Sequence, residues 1–535
     1  MSTPSLSRPH SQGQVLPFRQ SLMAVLGMCF VMVTVAIDQT VVGTALPTIV
    51  AELQGFDLYA WVATSYLLTS VITVPIFGRL GDYYGRKPFV IAAIILFTLA
   101  SVLCGAADSM PGLVLARALQ GIGGGMLVGT AFACIPDLFP EPRVRLKWQV
   151  IVSSAFGIAN AIGPSLGGAL TENYGWRSVF YVNLPVGLIG ALFVWRHLPF
   201  MRQMTQAKIR LDWPGALLIA AALGSLQLLV ELLPTHGFSL GMMGLAAGSA
   251  ASFAGLILWE KHCSYPLLPL DMFRNRSLAA LFALALLVGV ILYSLLFYSP
   301  LLLQGGFGFS PQQAGLLITP MVVFTTVGSI LNGRIVTRIP RPNVMLYAGF
   351  IVMGIACLGI VTMHRGTPHS WIVAYMLAGG LGLGFIMPNL TVFAQHTADR
   401  THLGIATAML QSLRMVGGML GTALVGTIVT HDYLGRVTDA LAASNASEWL
   451  PQLHNPQILV DLDMQSRLLA QIAQHHDYGA ALIESARQAL VGAIHAGQLI
   501  TLVIAALALW VVSRVPTVHL TKKSKAETDP PPPSE

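Results

Sequence analysis

Apolar runs long enough to cross a lipid bilayer recur along this chain from one end to the other. A transmembrane helix needs about 20 apolar residues, and fourteen such runs can be marked, near 18–46, 58–78, 89–107, 111–135, 148–170, 179–197, 214–234, 240–259, 277–303, 312–333, 343–363, 370–394, 404–430 and 497–514. Only 10% of the 535 residues are charged, whereas soluble domains carry about 25%. The sequence therefore predicts an all-α integral membrane protein.

The basic residues are distributed unevenly between the two sides that these runs define. An even number of spans places both termini on one side, and that side holds 23 of the 30 Lys and Arg residues. The opposite side holds five, and Arg117 and Arg414 lie inside spans. Because cytoplasmic loops are enriched in basic residues, we expect cytoplasmic termini and a multi-pass protein of the cell inner membrane. The same distribution accounts for the net charge of +7, so no nucleic-acid partner is needed to explain it.

Glycine-containing strings recur in the same order at an almost constant spacing. GRLGD at Gly78 returns as GRIVT at Gly333, QGIGGGM near Gly121 as GGLGLGF near Gly380, and GPSLGG at Gly163 as GGMLG at Gly417. Transporters built from parallel repeats show such internal similarity, so we expect two six-helix bundles separated by two inserted transmembrane helices. The predicted units are a bundle at 1–199, the inserted pair at 200–270, a bundle at 271–515 with an external loop at 432–496, and a disordered cytoplasmic tail at 516–535.

Two ionisable residues lie within apolar runs of the first half. Asp38 is in the first run and Arg117 in the fourth, and a charge at the bilayer centre costs about 2.5–3.5 kcal/mol on insertion scales. We predict that Arg117, which stays charged, pairs with Asp38, and that the Asp38 carboxyl takes and releases a proton. The alternative is structural, with each residue only tying helices together. Glu231, near the end of an inserted run, is a secondary candidate for coupling.

The loop after the second run, GRLGDYYGRKPFV, is a candidate gate. Asp82 could interact with the positive end of a helix in the opposite half, an interaction of about 0.3–1 kcal/mol, and Arg86 would belong to the same latch. Gly78 and Gly85 punctuate the loop. If the loop served only as a topology signal, an acidic residue among its basic residues would have no purpose.

The fifth run contains a second candidate gate in the string AIGPSLGGAL. The residues concerned are Gly163, Pro164, Gly167 and Gly168. Glycines four apart allow two helix backbones to approach closely, and a proline bends a helix by removing one backbone donor. The string predicts a tight seal at the external end that can open and re-form, with ordinary helix packing as the alternative.

Taken together, these strings resemble the major facilitator superfamily. The resemblance rests on VAIDQTVVGTALPTI in the first span, Gly-x-Leu-x-Asp-x-x-Gly-Arg-Lys in the loop, ARALQGIGGG in the fourth span, the exporter-associated pattern in the fifth, and WRSVFYVNLPVG before the sixth. With fourteen spans, the chain is similar to drug:H⁺ antiporters of the EmrB/QacA type. This implies alternating access around a midplane cavity and drug export driven by a proton gradient, with no cofactor. The chain departs from the family pattern at Ala159, where glycine is usual, and at Tyr83, where a basic residue is.

The resemblance leaves the partners and the transport direction open. Besides a small-molecule substrate, protons and the lipid bilayer, the EmrB type implies a periplasmic adaptor protein and an outer-membrane channel, whereas the QacA type works alone. The rival functions are a proton-coupled importer of a small nutrient or metabolite and a non-transporting membrane receptor. The chain has no G-x-x-x-x-G-K-[ST] string and no clustered catalytic or metal-binding set in its spans, so we expect neither an enzyme nor a metal site.

Polar and aromatic residues inside the spans are candidates for lining a substrate cavity. Packing or hydrogen bonding between helices could explain any one of them equally well. The candidates are Gln39, Asn160, Tyr293, Phe297, Tyr298, Asn389, Gln411 and Arg414.

Overall fold

The computed structural model describes residues 18–139, 142–200, 212–236, 239–263, 266–267, 270–336, 338–398, 403–473 and 478–515. Within these ranges the regular structure is helical, without a β-strand. The fourteen long helices, α1 to α14, are Phe18–Leu53, Tyr59–Tyr84, Arg86–Gly105, Met110–Leu138, Pro142–Tyr174, Asn183–His197, Trp213–His236, Leu240–His262, Arg276–Leu301, Pro311–Val336, Val344–Thr362, His369–Thr397, Leu403–Ala443 and Gly479–Val512. Each predicted span falls on one of them.

Thirteen helical segments of the described chain are long and apolar enough to cross a membrane. One of these segments, Arg177–His197, includes both the short helix Arg177–Tyr181 and α6. Of the fourteen long helices, α5 is not among the thirteen segments. Consecutive helices run in opposite directions. We call the side on which α1 begins and α14 ends the terminal side, and the opposite side the far side.

Helices α1 to α6 form the first bundle, and glycines set its closest contacts. α5 packs along α1 because Gly163 and Gly167 leave room for Thr40 and for the α1 backbone. α4 packs against both α2 and α3, and Gly121 of α4 lies against the backbone of Tyr66 in α2. Since a side chain at any of these glycines would displace the neighbouring helix, the glycine strings determine which helices meet.

Helices α9 to α14 form the second bundle, with the same pairing. α13 packs on α9 where Gly417 lies against the backbone of Leu286, and α12 packs on α10 where Gly380 lies against the backbone of Met321. α11 contacts α12 and α14, as α3 contacts α4 and α6. The recurring strings at Gly121 and Gly163 therefore occupy equivalent interfaces in the two bundles. The predicted fold of two six-helix bundles with two inserted helices is confirmed.

The inserted helices α7 and α8 pack on each other beside the seam between the bundles. α7 contacts α2 of the first bundle and α13 of the second. The hydroxyl of Thr427 in α13 donates to the carbonyl of Val230 in α7 at 3.3 Å. At the terminal side, the indole of Trp259 in α8 donates to the carboxylate of Asp212, just before α7, at 2.6 Å. The pair thus covers one side of the seam without entering either bundle.

Short helices occupy the far side between α13 and α14. α13 continues to Ala443 and α14 begins at Gly479, so much of the region predicted as an external loop extends these two helices. The short helices are Ser447–Trp449, Leu450–Leu453, Pro456–Leu459 and Leu462–Ala473. Pro456–Leu459 contacts α1, α14 and the turn after α9. This segment therefore lies over the far-side ends of both bundles.

Candidate functional site

An ion pair is buried in the first bundle. Nη1 of Arg117 in α4 lies 2.8 Å from Oδ2 of Asp38 in α1, and neither residue is more than 1% exposed. The close approach of α4 to its neighbours, which Gly121 permits, holds Arg117 at this depth. The structure thus brings together the two residues that the sequence analysis paired.

Amide side chains hold the other oxygen of Asp38. Nε2 of Gln120 donates to Oδ1 of Asp38 at 2.7 Å, and Nδ2 of Asn183, at the start of α6, donates to the same oxygen at 3.1 Å. Asn183 is held in turn by the hydroxyl of Ser101, 3.0 Å from its amide nitrogen. Both carboxylate oxygens therefore accept hydrogen bonds, which offsets much of the cost of burying the charge.

The guanidinium of Arg117 has several partners besides Asp38. Nη1 donates to Oε1 of Gln120 at 2.7 Å, and Nε donates to the carbonyl of Val62 at 3.2 Å. The ring of Tyr66 lies 4.5 Å from the guanidinium carbon, a favourable distance for a cation–π contact. Arg117 thus joins α1, α2 and α4 at one point.

Gln120 and Asn183 were not among the predicted site residues. Gln120 follows Arg117 by three positions, which places both on one face of α4, and this spacing could have identified it. Asn183 lies in the string WRSVFYVNLPVG, where nothing local points to Asp38. Its role becomes visible only when α6 is placed against α1.

The pair can change its net charge only through Asp38, since arginine does not lose its proton in proteins. A proton on Asp38 would leave Arg117 as a buried cation without a counter-ion, and such a charge is strongly destabilising. Any change in the charge of this pair would therefore act on how α1, α2 and α4 pack around Arg117.

The fifth-helix string forms a close contact between the two bundles toward the far side. Gly168 of α5 lies against the backbone of Pro311 in α10, and Gly315 lies against the carbonyl of Pro164. The hydroxyl oxygens of Ser165 and Thr319 are 2.5 Å apart across the same interface. The glycines allow this backbone-to-backbone contact, and the bundles are closed against each other here.

A second far-side contact joins α1 to the end of α9. Gln304 lies in a π-helical turn, Leu302–Gly306, and its Nε2 donates to the carbonyl of Thr44 at 2.7 Å. Nη1 of Arg487 in α14 donates to the carbonyl of Gly305 at 2.7 Å. Because this π-helical turn departs from the regular α-helical pattern, its carbonyl groups are available to Arg487. Together these bonds hold the turn against the first bundle.

Comparison with known proteins identifies the family. The Major Facilitator Superfamily profile matches residues 28–422, well over half of the chain. The chain belongs to the major facilitator superfamily. It is 33% identical over 425 residues to multidrug resistance protein 3 of Bacillus subtilis (79% of this chain and 82% of the relative). It is also 33% identical over 452 residues to the multidrug transporter MdtP of the same species, covering 82% of this chain and 83% of the relative.

Solved structures agree with the fold at low sequence identity. A bacterial homologue of the human lysosomal transporter Spinster, inward-facing and occupied, matches with a TM-score of 0.65 at 16% identity, covering 94% of this chain and 98% of that one. A D-xylose–proton symporter matches with a TM-score of 0.55 at 14% identity, covering 83% and 95%. The superfamily resemblance is confirmed, and the chain is a multi-pass membrane transporter.

In this transporter, aromatic side chains lead from the buried pair toward the second bundle. Gln39 of α1 and Tyr293 of α9 lie near Tyr66, the ring that covers Arg117. Tyr293 packs on Gly418 of α13 and is an electrostatic neighbour of Arg414. Tyr66 and Tyr293 thus lie between Arg117 of the first bundle and Arg414 of the second.

The remaining cavity candidates differ in exposure. Gln39, Asn160, Gln411 and Arg414 are partly exposed, whereas Tyr293, Phe297, Tyr298 and Asn389 are buried. Three of the buried candidates make hydrogen bonds between helices. The backbone carbonyl of Phe297 accepts from the Tyr59 hydroxyl at 2.6 Å, and the Tyr298 hydroxyl donates to the Thr422 carbonyl at 3.0 Å. The Asn389 amide donates to the Asn332 amide oxygen at 2.7 Å.

Only part of the predicted terminal-side gate can be described. Gly85 separates α2 from α3 with φ +93°, a conformation that L-residues rarely adopt, so glycine is required there. Gly78 lies beside the carbonyl of Gly129 in α4, and Arg86 begins α3. The side chains of Asp82 and Glu231 lie outside the described part of the structure, as does the tail at 516–535. Among the described residues, no cluster of His, Cys, Asp or Glu could hold a metal ion.

Proposed function

We propose that this transporter is a fourteen-helix drug:H⁺ antiporter of the EmrB/QacA type, which exports lipophilic small molecules across the cell inner membrane. The buried pair of Asp38 and Arg117 is the observation on which the proposal depends. Its support from the comparisons is the likeness to relatives named for multidrug resistance and multidrug transport. The excess of basic residues on the terminal side supports cytoplasmic termini.

In the proposed mechanism, Asp38 carries the proton and Arg117 transmits its arrival. Protonation removes the negative partner of Arg117 at 2.8 Å, so the guanidinium must find other acceptors. Because Arg117 also bonds the α2 backbone and covers Tyr66, its displacement would alter how α2 packs. α2 contacts α13 of the second bundle, and this gives the local event a route to the interface between the bundles.

Alternating access would use the far-side contacts as one gate. The described conformation is closed where Gly168 meets Pro311 and where Gln304 meets Thr44. Opening there would require the contact between α5 and α10 to separate, and closing on the terminal side would then involve the loop containing Asp82 and Arg86. Substrate would leave on the far side while a proton entered from it.

Ethidium movement in inverted membrane vesicles tests the proposal. With a proton gradient directed outward from the lumen, the wild type should accumulate ethidium, and an uncoupler should abolish this. Asp38→Asn should reduce gradient-driven accumulation at least tenfold. The matched control is Asp271→Asn, which removes a carboxylate that is 94% exposed and paired only loosely with Arg274 at 3.9 Å.

Normal gradient-driven transport by Asp38→Asn would refute the proposed role of the pair. Movement of substrate in the opposite direction would favour the importer. The purified chain in liposomes also tests the partners: transport there would show that it works without an adaptor protein or an outer-membrane channel.

A further inference from the structure

Arg414 is a cation in the second bundle for which the described residues provide no matching anion. It lies three turns into α13, about 16 Å from the terminal-side end of that helix at 1.5 Å per residue, and therefore near the middle of a hydrocarbon core of about 30 Å. No carboxylate of the described chain lies within 4.0 Å of it, whereas Arg117 has Asp38.

The partners of Arg414 leave most of its donors unused. Nη2 donates to Oε1 of Gln411, and Nη1 lies 2.8 Å from the sulfur of Met387 in α12, which is a weak acceptor. Nε is buried and has no acceptor in the described structure. A guanidinium has five N–H donors in a planar fork, so this one is prepared for a further acceptor.

Arg414 cannot easily leave this position for the membrane surface. Its backbone carbonyl packs directly on Gly289 of α9, which fixes α13 against α9 at this point. The contact of α13 with the inserted helix α7 lies elsewhere on α13, because Val230 accepts from Thr427, about 20 Å further along α13 at 1.5 Å per residue.

The surroundings of Arg414 suit a lipophilic molecule. Met387 contacts Arg414, Tyr293 is a further neighbour, and the ring of Tyr293 stacks with that of Phe297 at 6.4 Å. Arg414 is partly exposed, and its contacts with Met387 of α12 and Gly289 of α9 place it between those two helices. A flexible thioether, two aromatic rings and one cation match an amphiphile that has an aromatic body and an acidic group.

We propose that Arg414 and Gln411 form a subsite for the acidic group, a carboxylate or sulfonate, of an exported lipophilic anion. This rests on the proposed export function and adds a substrate class to it. The forked guanidinium would bind the acid through two hydrogen bonds, with Gln411 orienting the guanidinium. The pair in the first bundle is internally neutral, so Arg414 provides the positive charge that would bind the acidic group of an anionic substrate.

Two xanthene dyes of similar size and opposite charge test this subsite. Inverted vesicles containing wild type, Arg414→Gln or Arg414→Lys would be loaded with fluorescein, an anion, or rhodamine 123, a cation, and the dye content counted after filtration and lysis. We expect Arg414→Gln to reduce fluorescein transport at least tenfold and rhodamine transport less than twofold, with partial recovery in Arg414→Lys. The control is Arg274→Gln, which removes an exposed arginine.

A second readout separates binding from transport. Fluorescein should raise the unfolding temperature of the purified wild type and of Arg274→Gln but not that of Arg414→Gln.

The outcomes of the two readouts separate the subsite from export. Equal losses of fluorescein and rhodamine transport in Arg414→Gln, or no loss of either, would overturn the subsite. Rhodamine transport without fluorescein transport or stabilisation would refute the anion site but leave drug export intact. Stabilisation by fluorescein that depends on Arg414, with neither dye transported, would support the site and count against export.

Discussion

Removing Asp38 should destabilise the protein more than removing Arg117, although the two side chains form one pair. At the observed separation of 2.8 Å, their Coulomb attraction is about 6 kcal/mol with an effective dielectric constant of about 20. Desolvation of both charges opposes this attraction, and the loss of one partner of a buried pair typically costs about 3–5 kcal/mol. The structure predicts where in this range each variant falls.

In Asp38→Asn, Arg117 remains charged but has only neutral partners: the Gln120 and Val62 oxygens, the face of Tyr66 and the amide oxygen of the new side chain. We expect a loss near the upper end, about 4–5 kcal/mol. In Arg117→Gln, Asp38 can take up a proton, become neutral and remain bonded to Gln120. We expect that variant to lose no more than about 3 kcal/mol.

A double-mutant cycle measures the coupling. The free energy of unfolding would be obtained for the wild type, both single variants and the double variant by titrating purified protein with SDS and following tryptophan fluorescence. We expect the double variant to lose at least about 2 kcal/mol less than the sum of the single losses. The exposed pair Asp271 and Arg274 provides a control cycle with negligible coupling. Additive losses, or a larger loss in Arg117→Gln, would refute this reasoning.

Two further predictions concern the far-side contacts. Gly168→Ala places a methyl group against the Pro311 backbone, so transport should fall at least tenfold while the yield of folded protein stays unchanged. The control is Gly224→Ala, which has open space around it and should transport normally. Gln304→Ala removes the hydrogen bond to the Thr44 carbonyl, which is worth about 1 kcal/mol, so the far side should open about fivefold more often. The measurement is the labelling rate of a cysteine placed in the far-side contact, which should rise. An unchanged labelling rate would show that this bond does not hold the gate.

The helices were predictable because the bilayer imposes the length of each apolar run. The packing of α4 on α2 and of α12 on α10 could also have been predicted. The glycines at Gly121 and Gly380 recur in order, and only glycine allows a helix to lie this close to a neighbouring backbone. The bounds of α13 and α14 were less predictable. Their extensions to Ala443 and from Gly479 lie outside the apolar runs, where packing against the short far-side helices, rather than hydropathy, stabilises them.

The site was predictable only in its charged residues. A carboxylate and a guanidinium inside apolar runs are costly enough to attract attention on their own, and this applies to Asp38 and Arg117. Asn183 is a neutral amide near a span end, where its cost is low, so its choice of partner depends on how α6 crosses α1. Gln304 is similar: its contact with Thr44 arises from a π-helical turn, which has no signature in the hydrophobic pattern.

The two bundles share their packing residues but differ in their charges, and this difference suggests a division of roles. Counting along the repeat that relates Gly163 to Gly417, Arg414 occupies in the second bundle the place that Asn160 occupies in the first. The glycines three positions further on are retained at helix contacts, because Gly163 lies against Thr40 and Gly417 against the backbone of Leu286. Since these helix contacts are preserved, the exchange of an amide for a guanidinium altered the chemistry without altering the fold. In the proposed mechanism the first bundle then responds to protons through a neutral pair, and the second binds substrate through an unpaired cation.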